Sequence, residues 1–314
     1  ISNEMRQAIL DWQPDVVHMH SSFTPENAVL ARWLRRQDIP YVETTHGNMS
    51  SYVVRRRWYL KLPFKHLVQL PYLNRAAFIH ATDHERYARA YGVTAPIVTA
   101  YNAFDFDSLP SGVSGEWFFR KFPQARGKRI FLFLGRLSIY QKGLDRMIRA
   151  FALADLPDSL LVLVGPDSGR DQRRLEHLIR SLGLQARVIL AGPAYRDEKW
   201  SCFAAADVFV HTSRWEGGAF AALESAAAEL PILITPDADA TGKFWHCEGA
   251  IGVQFDVADI ARGMREFSQK SPEVLRHMGQ ASRQMIEREF NWDTTARMII
   301  DSYRQYISLP IEGG

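Results

Sequence analysis

The chain has 314 residues, 46% of them hydrophobic and 23% charged, with a net charge of +3. That length suits two compact domains, and the charge is too small to argue for nucleic-acid binding. No apolar run approaches the roughly 18 residues of a membrane-spanning helix, and Ile1-Ser2-Asn3-Glu4 does not read as a signal peptide.

Short β-branched runs alternate with helical stretches, which predicts βαβ units and parallel sheets. In the first part, strands are expected over 15–20, 41–46, 77–81 and 96–100, with helices over 26–37 and 83–91. Residues 108–128 hold Pro110, Gly112, Gly115, Pro123 and Gly127 and read as a linker with a short helix near Trp117. The alternation then restarts, with strands over 130–134, 160–164, 188–190, 208–211 and 232–235. Helices are expected over 143–153, 172–182, 198–205 and 220–228, and two more over 272–289 and 292–307 close the chain. The two cysteines, Cys202 and Cys247, match no metal-ligand spacing and read as reduced structural thiols.

Open parallel sheets bind ligands at the carboxyl ends of their strands, so the turns after the strands carry the functional argument. After 130–134 comes Gly135-Arg136-Leu137-Ser138-Ile139-Tyr140-Gln141-Lys142-Gly143. Arg136 and Lys142 place two cations at the sheet mouth, suited to phosphate, and Gly143 opens a helix whose N-terminus favours anions. Taken alone, this cluster is equally well a solvated basic turn. After 208–211 comes Ser213-Arg214-Trp215-Glu216-Gly217-Gly218-Ala219-Phe220, with Glu224 one turn into the next helix. The glycines admit a ligand to the backbone, and free N–H groups at the helix start suit a diphosphate. Glu224 lies on an Ala-rich helix, where a lone carboxylate needs a partner.

The two clusters together resemble retaining glycosyltransferases of family 4, which have the GT-B fold. The resemblance rests on G-R-L-x4-K-G at Gly135 to Gly143 and on the E-x7-E pair Glu216 and Glu224. Weaker matches are the 14–20 strand, Thr45-His46-Gly47, and Asn102-Ala103-Phe104-Asp105. The resemblance implies an α/β architecture of two Rossmann-like, doubly wound domains facing across a cleft. The domains would be 1–108 on the acceptor side, a linker 109–128, a nucleotide-sugar domain 129–290, and a helix in 291–314 returning to the first domain. Family members begin with additional β-α units, so the first domain is expected to lack roughly 60–100 residues and the chain to be a poor catalyst.

By the same resemblance, Arg136 and Lys142 bind the donor diphosphate and stabilise it as it leaves, without a metal or any other cofactor. Glu216 holds hydroxyls of the transferred sugar, and Glu224 holds the ribose. Gly135, Gly217, Gly218, Ala219 and Phe220 line the sugar-phosphate pocket, Pro193 and Tyr195 lie near the base, and His46 contacts the sugar or acceptor. Glu216-Gly217-Gly218-Ala219 departs from the family's Glu-Gly-Phe-Gly, which implies a differently shaped sugar pocket. The expected function is transfer of a hexose-type sugar from a UDP- or GDP-sugar to a glycan, lipid-linked or small-molecule acceptor, in polysaccharide or glycoconjugate biosynthesis. The alternatives are a sugar-nucleotide epimerase and a non-catalytic nucleotide-sugar binder.

Two further features stand apart. His18 and His20 share a strand face, but no third metal ligand is near them in sequence. No acidic residue occurs between Glu43 and Asp83, while Arg55, Arg56, Arg57, Lys61, Lys65 and Arg75 do. The first five, interleaved with aromatic residues, can lie on an anionic membrane surface. The alternatives are a solvated basic face over a core or a cleft for a phosphorylated acceptor. The expected localisation is cytoplasmic, with the membrane reading placing the protein on the inner face of the plasma membrane.

Overall fold

A computed structural model describes residues 1–55, 58–167, 169 and 171–307. The chain divides into two compact units, 1–103 with 292–314, and 104–291.

The first unit is built on a four-stranded parallel sheet in the order β1-β2-β3-β4. Helix α1 (Asn3–Trp12) precedes β1 (Val17–His20), and α2 (Pro25–Arg36) crosses to β2 (Tyr41–Thr44). A helical run follows: α3 (Ser51–Arg55), α4 (Trp58–Phe64), a π-helical turn Lys65–Gln69, and α5 (Leu70–Leu73). Then come β3 (Ile79–Ala81), α6 (Arg86–Tyr91) and β4 (Ile97–Thr99). The core is formed by α2 through Leu30, Ala31 and Leu34, by α5 through Tyr72 and Leu73, and by Tyr41 and Ile79 of the sheet. The run 51–73 has no counterpart in the sequence reading. Pro63 lies inside α4 and Pro71 at the start of α5, and such residues read as breaks; the π turn between them keeps the run continuous.

Beneath β1 and β2 lies a buried polar cluster. Asn27 of α2 donates to the carbonyls of His20 (2.9 Å) and Ser21 (3.2 Å) and to the Glu43 carboxyl (3.2 Å), tying the end of β1 to β2. Glu43 is fully buried, and burial pushes its carboxyl up to about 7, although the Asn27 amide pulls the other way. Its unfolded value is near 4.5, so the folded state holds the proton more tightly between that pH and about 7. Stability therefore falls as pH rises through this window and stays lowered above it. Glu43→Gln removes the ionisation. We expect the variant to match the wild type at pH 4 and to exceed it by about 3 kcal/mol at pH 8 in urea unfolding. The same difference at both pH values would rule out the ionisation as its cause.

The second unit holds a six-stranded parallel sheet in the order β10-β9-β8-β5-β6-β7. Helix α7 (Glu116–Lys121) leads into β5 (Arg129–Leu134), then the short α8 (Ile139–Lys142), α9 (Leu144–Ala154) and β6 (Ser159–Val164). Next are α10 (Asp171–Ser181), β7 (Val188–Gly192), α11 (Asp197–Ala205), β8 (Val208–His211), α12 (Phe220–Ala227) and β9 (Ile232–Ile234). The unit closes with β10 (Ala250–Gly252), α13 (Val257–Ser268) and α14 (Pro272–Glu289). Every residue of β6 is buried, as expected of a parallel strand covered on both faces. Helix α9 buries Leu144, Met147, Ile148 and Phe151, the i, i+3, i+4, i+7 stripe of an amphipathic helix.

The stretch 109–128, expected as a linker, packs with this second unit. Phe118 of α7 is buried, and its N–H donates to Ser201 Oγ of α11 (3.2 Å). Helix α15 (Trp292–Ile307) belongs with the first unit. There Tyr303 and Tyr306 pack on Phe78, at centroid distances of 5.8 and 5.6 Å.

Candidate functional site

In the second unit, β5 leads to β6 and β7 on one side and has β8, β9 and β10 on the other. The strand order reverses between β5 and β8, and the two predicted clusters follow these strands directly. Such a switch point is where open parallel sheets leave a crevice for ligands. Gly143 joins the two turns closely: a Cβ there would stand 2.4 Å from the Thr212 carbonyl oxygen. Arg214 fastens them from the other side. Its guanidinium donates to the Tyr140 carbonyl (2.5 Å) and lies over the rings of Tyr140 and Phe255 (4.9 Å each).

At the centre Lys142 Nζ meets Glu216 Oε1 at 2.5 Å, both side chains nearly buried. Ser213 Oγ donates to the same carboxylate oxygen, and His211 Nε2 is 3.4 Å from it. Burial acts to raise the Glu216 pKa, but the Lys142 charge, His211 and the hydrogen bonds from Lys142 and Ser213 outweigh it and leave it lowered. Burial pushes the His211 imidazole down to about 4, so at neutral pH it is uncharged and makes no ion pair. Arg136 is exposed and has no side-chain partner among the described residues.

Ala219 adopts a left-handed conformation (φ 47°, ψ 35°) and starts α12, whose first residue, Phe220, is 55% exposed. Glu224 accepts from Lys199 Nζ of α11 at 2.9 Å, which supplies the partner its helix demands. Tyr195 is 63% exposed beside Pro193 in the turn between β7 and α11.

The first unit carries a second cluster. His18 bonds the hydroxyl of Tyr303 through Nδ1 and Thr44 Oγ1 through Nε2 (2.6 Å). Thr44 Oγ1 lies 2.9 Å from His80 Nδ1, and His80 Nε2 is 2.8 Å from the Ala100 carbonyl. His20 Nδ1 is 3.0 Å from His46 Nε2, and His46 is left-handed (φ 46°). Burial first, then the neighbouring imidazoles, pushes His18 down to about 3, so this core histidine is neutral. Among the described residues, no group of three His, Cys, Asp or Glu is placed to hold a metal ion.

A model of the family described as "Glycosyl transferases group 1" matches residues 116–285, more than half of the chain. The chain belongs to this family. A model described as "Glycosyltransferase Family 4" matches residues 1–108. An uncharacterized glycosyltransferase of Methanocaldococcus jannaschii is 31% identical over 140 residues, 44% of this chain and 35% of that protein. The match thus spans about a third of that relative's length. Glycogen synthase of Mycobacterium tuberculosis is 25% identical over 309 residues, 93% of this chain and 69% of that one. Among solved structures, Anabaena HepE in complex with UDP and glucose superposes with a TM-score of 0.78 at 18% identity, covering 96% of this chain and 81% of that one. This glycosyltransferase has the GT-B fold.

Within the group 1 glycosyltransferase, the expected site residues fall in three places. Lys142 and Glu216 meet directly, with Gly135, Arg136, Gly217, Gly218 and Ala219 in the turns and Phe220 at the start of α12. Glu224 pairs with Lys199 on α11, and Pro193 and Tyr195 lie on the turn leading into that helix. His46 lies in the first unit and bonds His20. Sequence reasoning left out Lys199, His211 and Ser213 as partners of the two glutamates. Lys199 and Glu224 are 25 residues apart, a separation no local spacing signals, whereas Ser213 and His211 lie three and five residues before Glu216, in its own loop and at the end of β8.

Proposed function

We propose that the protein transfers a hexose-type sugar from a nucleoside-diphosphate sugar to a glycan, lipid-linked or small-molecule acceptor, with retention of configuration and without a metal. The buried Lys142–Glu216 pair at the strand-order switch point carries this reading. A neutralised carboxylate with fixed hydrogen bonds suits sugar hydroxyls, and the exposed Arg136 suits the diphosphate. Lys142 completes the charge that stabilises the departing diphosphate. Glu224 takes the ribose hydroxyls beside Lys199, with Pro193 and Tyr195 near the base. Gly135, Gly217, Gly218, Ala219 and Phe220 shape the pocket for sugar and phosphate. A neighbour in complex with UDP and glucose supports a UDP-sugar as donor. His46, oriented by His20, acts on the sugar or acceptor. No helix among the described residues is long and apolar enough to cross a membrane. We place the protein in the cytoplasm, at an anionic membrane surface, in polysaccharide or glycoconjugate synthesis.

Thermal-shift screening of UDP- and GDP-sugars tests the donor site. One donor should raise the melting temperature by mass action, and Arg136→Ala should abolish the rise while leaving the unliganded melting temperature unchanged. An undiminished shift in the variant would remove Arg136 from the site. Release of free sugar and nucleoside diphosphate from that donor in water separates a transferase from an epimerase, which gives only the epimer.

A further inference from the structure

The basic stretch of the first unit is arranged differently from its sequence reading. Lys61 Nζ donates to the Val53 carbonyl (2.6 Å) and lies over the Phe23 ring (5.1 Å), and Lys65 Nζ lies over the Tyr91 ring (4.5 Å). Both ammonium groups are thus engaged within the unit. Arg55 is exposed, and Arg56 and Arg57 lie outside the described residues.

Three other cations border a groove of about 650 Å³ between α2 and the run from α4 to α5. Its apolar lining includes Val29, Phe64, Leu67 and Val68, with Val29 51% and Leu67 78% exposed. Arg32 and Arg35 stand on α2 and Arg75 just beyond α5, all three exposed. None of them forms an ion pair with a described residue, Arg75 donating to the Pro71 carbonyl (2.8 Å), and no described acidic side chain lines the groove. On the same helical run Trp58, Tyr59 and Leu60 are each about 60% exposed.

Isolated apolar side chains at a surface are ordinary, but a contiguous apolar groove bordered by three exposed guanidinium groups without carboxylate partners is not. Its charge complement is an anion, and its floor calls for hydrocarbon. A free phosphate satisfies only the first requirement and an apolar helix only the second. We propose that this groove docks the protein on an anionic lipid membrane, with Arg32, Arg35 and Arg75 on lipid phosphates and Leu67, Val29 and Phe64 against the acyl region. Exposed Trp58 and Tyr59 on the same helical run suit the headgroup boundary. This names the surface behind the membrane part of the proposed function, and it is independent of the donor site.

The test is co-sedimentation of the full chain with phosphatidylcholine vesicles, alone or with about a third phosphatidylglycerol. Retention is expected only on the anionic vesicles and should fall as salt is raised to about 0.5 M. The triple variant R32E/R35E/R75E should lower the partition coefficient about a hundredfold or more, since each cation near such a surface contributes about a factor of five to ten. Leu67→Ser should lower it several-fold with charge unchanged. Donor-dependent thermal stabilisation should be unchanged in both variants, which separates this result from any failure of the donor site. Equal retention of the triple variant, or retention on neutral vesicles alone, overturns the proposal. So does a Leu67-dependent doubling of mass in light scattering without vesicle retention, which gives the groove to a second copy of the chain. Binding of inorganic phosphate through the three arginines without vesicle retention overturns it as well.

Discussion

Lys142→Ala is expected to lower sugar-nucleotide turnover by two to three orders of magnitude, the scale seen when one preorganised charge at a reacting centre is removed. It should also lower unfolding stability by about 3–5 kcal/mol, because Glu216 is left as an unpaired, nearly buried carboxylate. The two losses have different causes and separate in a second variant. Lys142→Ala with Glu216→Gln removes the stranded charge, so urea unfolding should return most of the stability. Turnover should stay low, since neither the cation nor the carboxylate is present. If turnover returned along with stability, Lys142 would be structural and the proposed role would fall.

Gly143→Ala is the second large effect, and it acts through the backbone. Gly143 has φ +66°, and an added Cβ would stand 2.4 Å from the Thr212 carbonyl oxygen and 2.8 Å from the Phe255 ring. Backbone cannot retreat as a flexible side chain does. Left-handed strain and overpacking together are expected to cost about 3–5 kcal/mol in urea unfolding. Gly127→Ala is the control: its φ is similar at +76°, but nothing lies within 4 Å of the added Cβ. Its cost should be only about 1 kcal/mol, from strain alone. Similar losses at both glycines would show that the contact with Thr212 carries no energy.

The parallel strands were legible because burial on both faces leaves near-continuous apolar runs, as in Leu160 to Val164. The cationic turn and the glutamate loop were legible because their residues are contiguous in sequence. What joins them was not: Arg214 bridging to Tyr140 and Lys199 on Glu224 are pairings made by the sheet across tens of residues, while Ser213 and His211, three and five residues before Glu216, meet it through the fold of their own strand end and loop. Helix α13 has no counterpart in the sequence reading, and it carries Gly263 in its middle. In the structure a Cβ there would meet Leu233 at 2.5 Å, so the glycine lets the helix approach the sheet. The basic stretch shows what composition leaves open. Its composition pointed to a charged surface, yet Lys61 and Lys65 fold back onto aromatic rings. Exposed cations without a carboxylate partner also stand on α2, at Arg32 and Arg35, and at Arg75.

The place where the chain enters and leaves the second unit has a practical consequence. The Phe104 N–H donates to the Phe290 carbonyl at 3.0 Å, so the two ends of 104–291 meet. Topologically this unit is an insert, a cassette closed at its neck by one backbone bond. Such a segment can be expressed alone, permuted through its joined ends, or exchanged between relatives as a single piece of gene. The other unit has no such freedom. Its core draws on a helix encoded nearly two hundred residues downstream, so a version without the cassette must splice Ala103 to Trp292. A stop codon anywhere in the inserted segment would therefore damage both units.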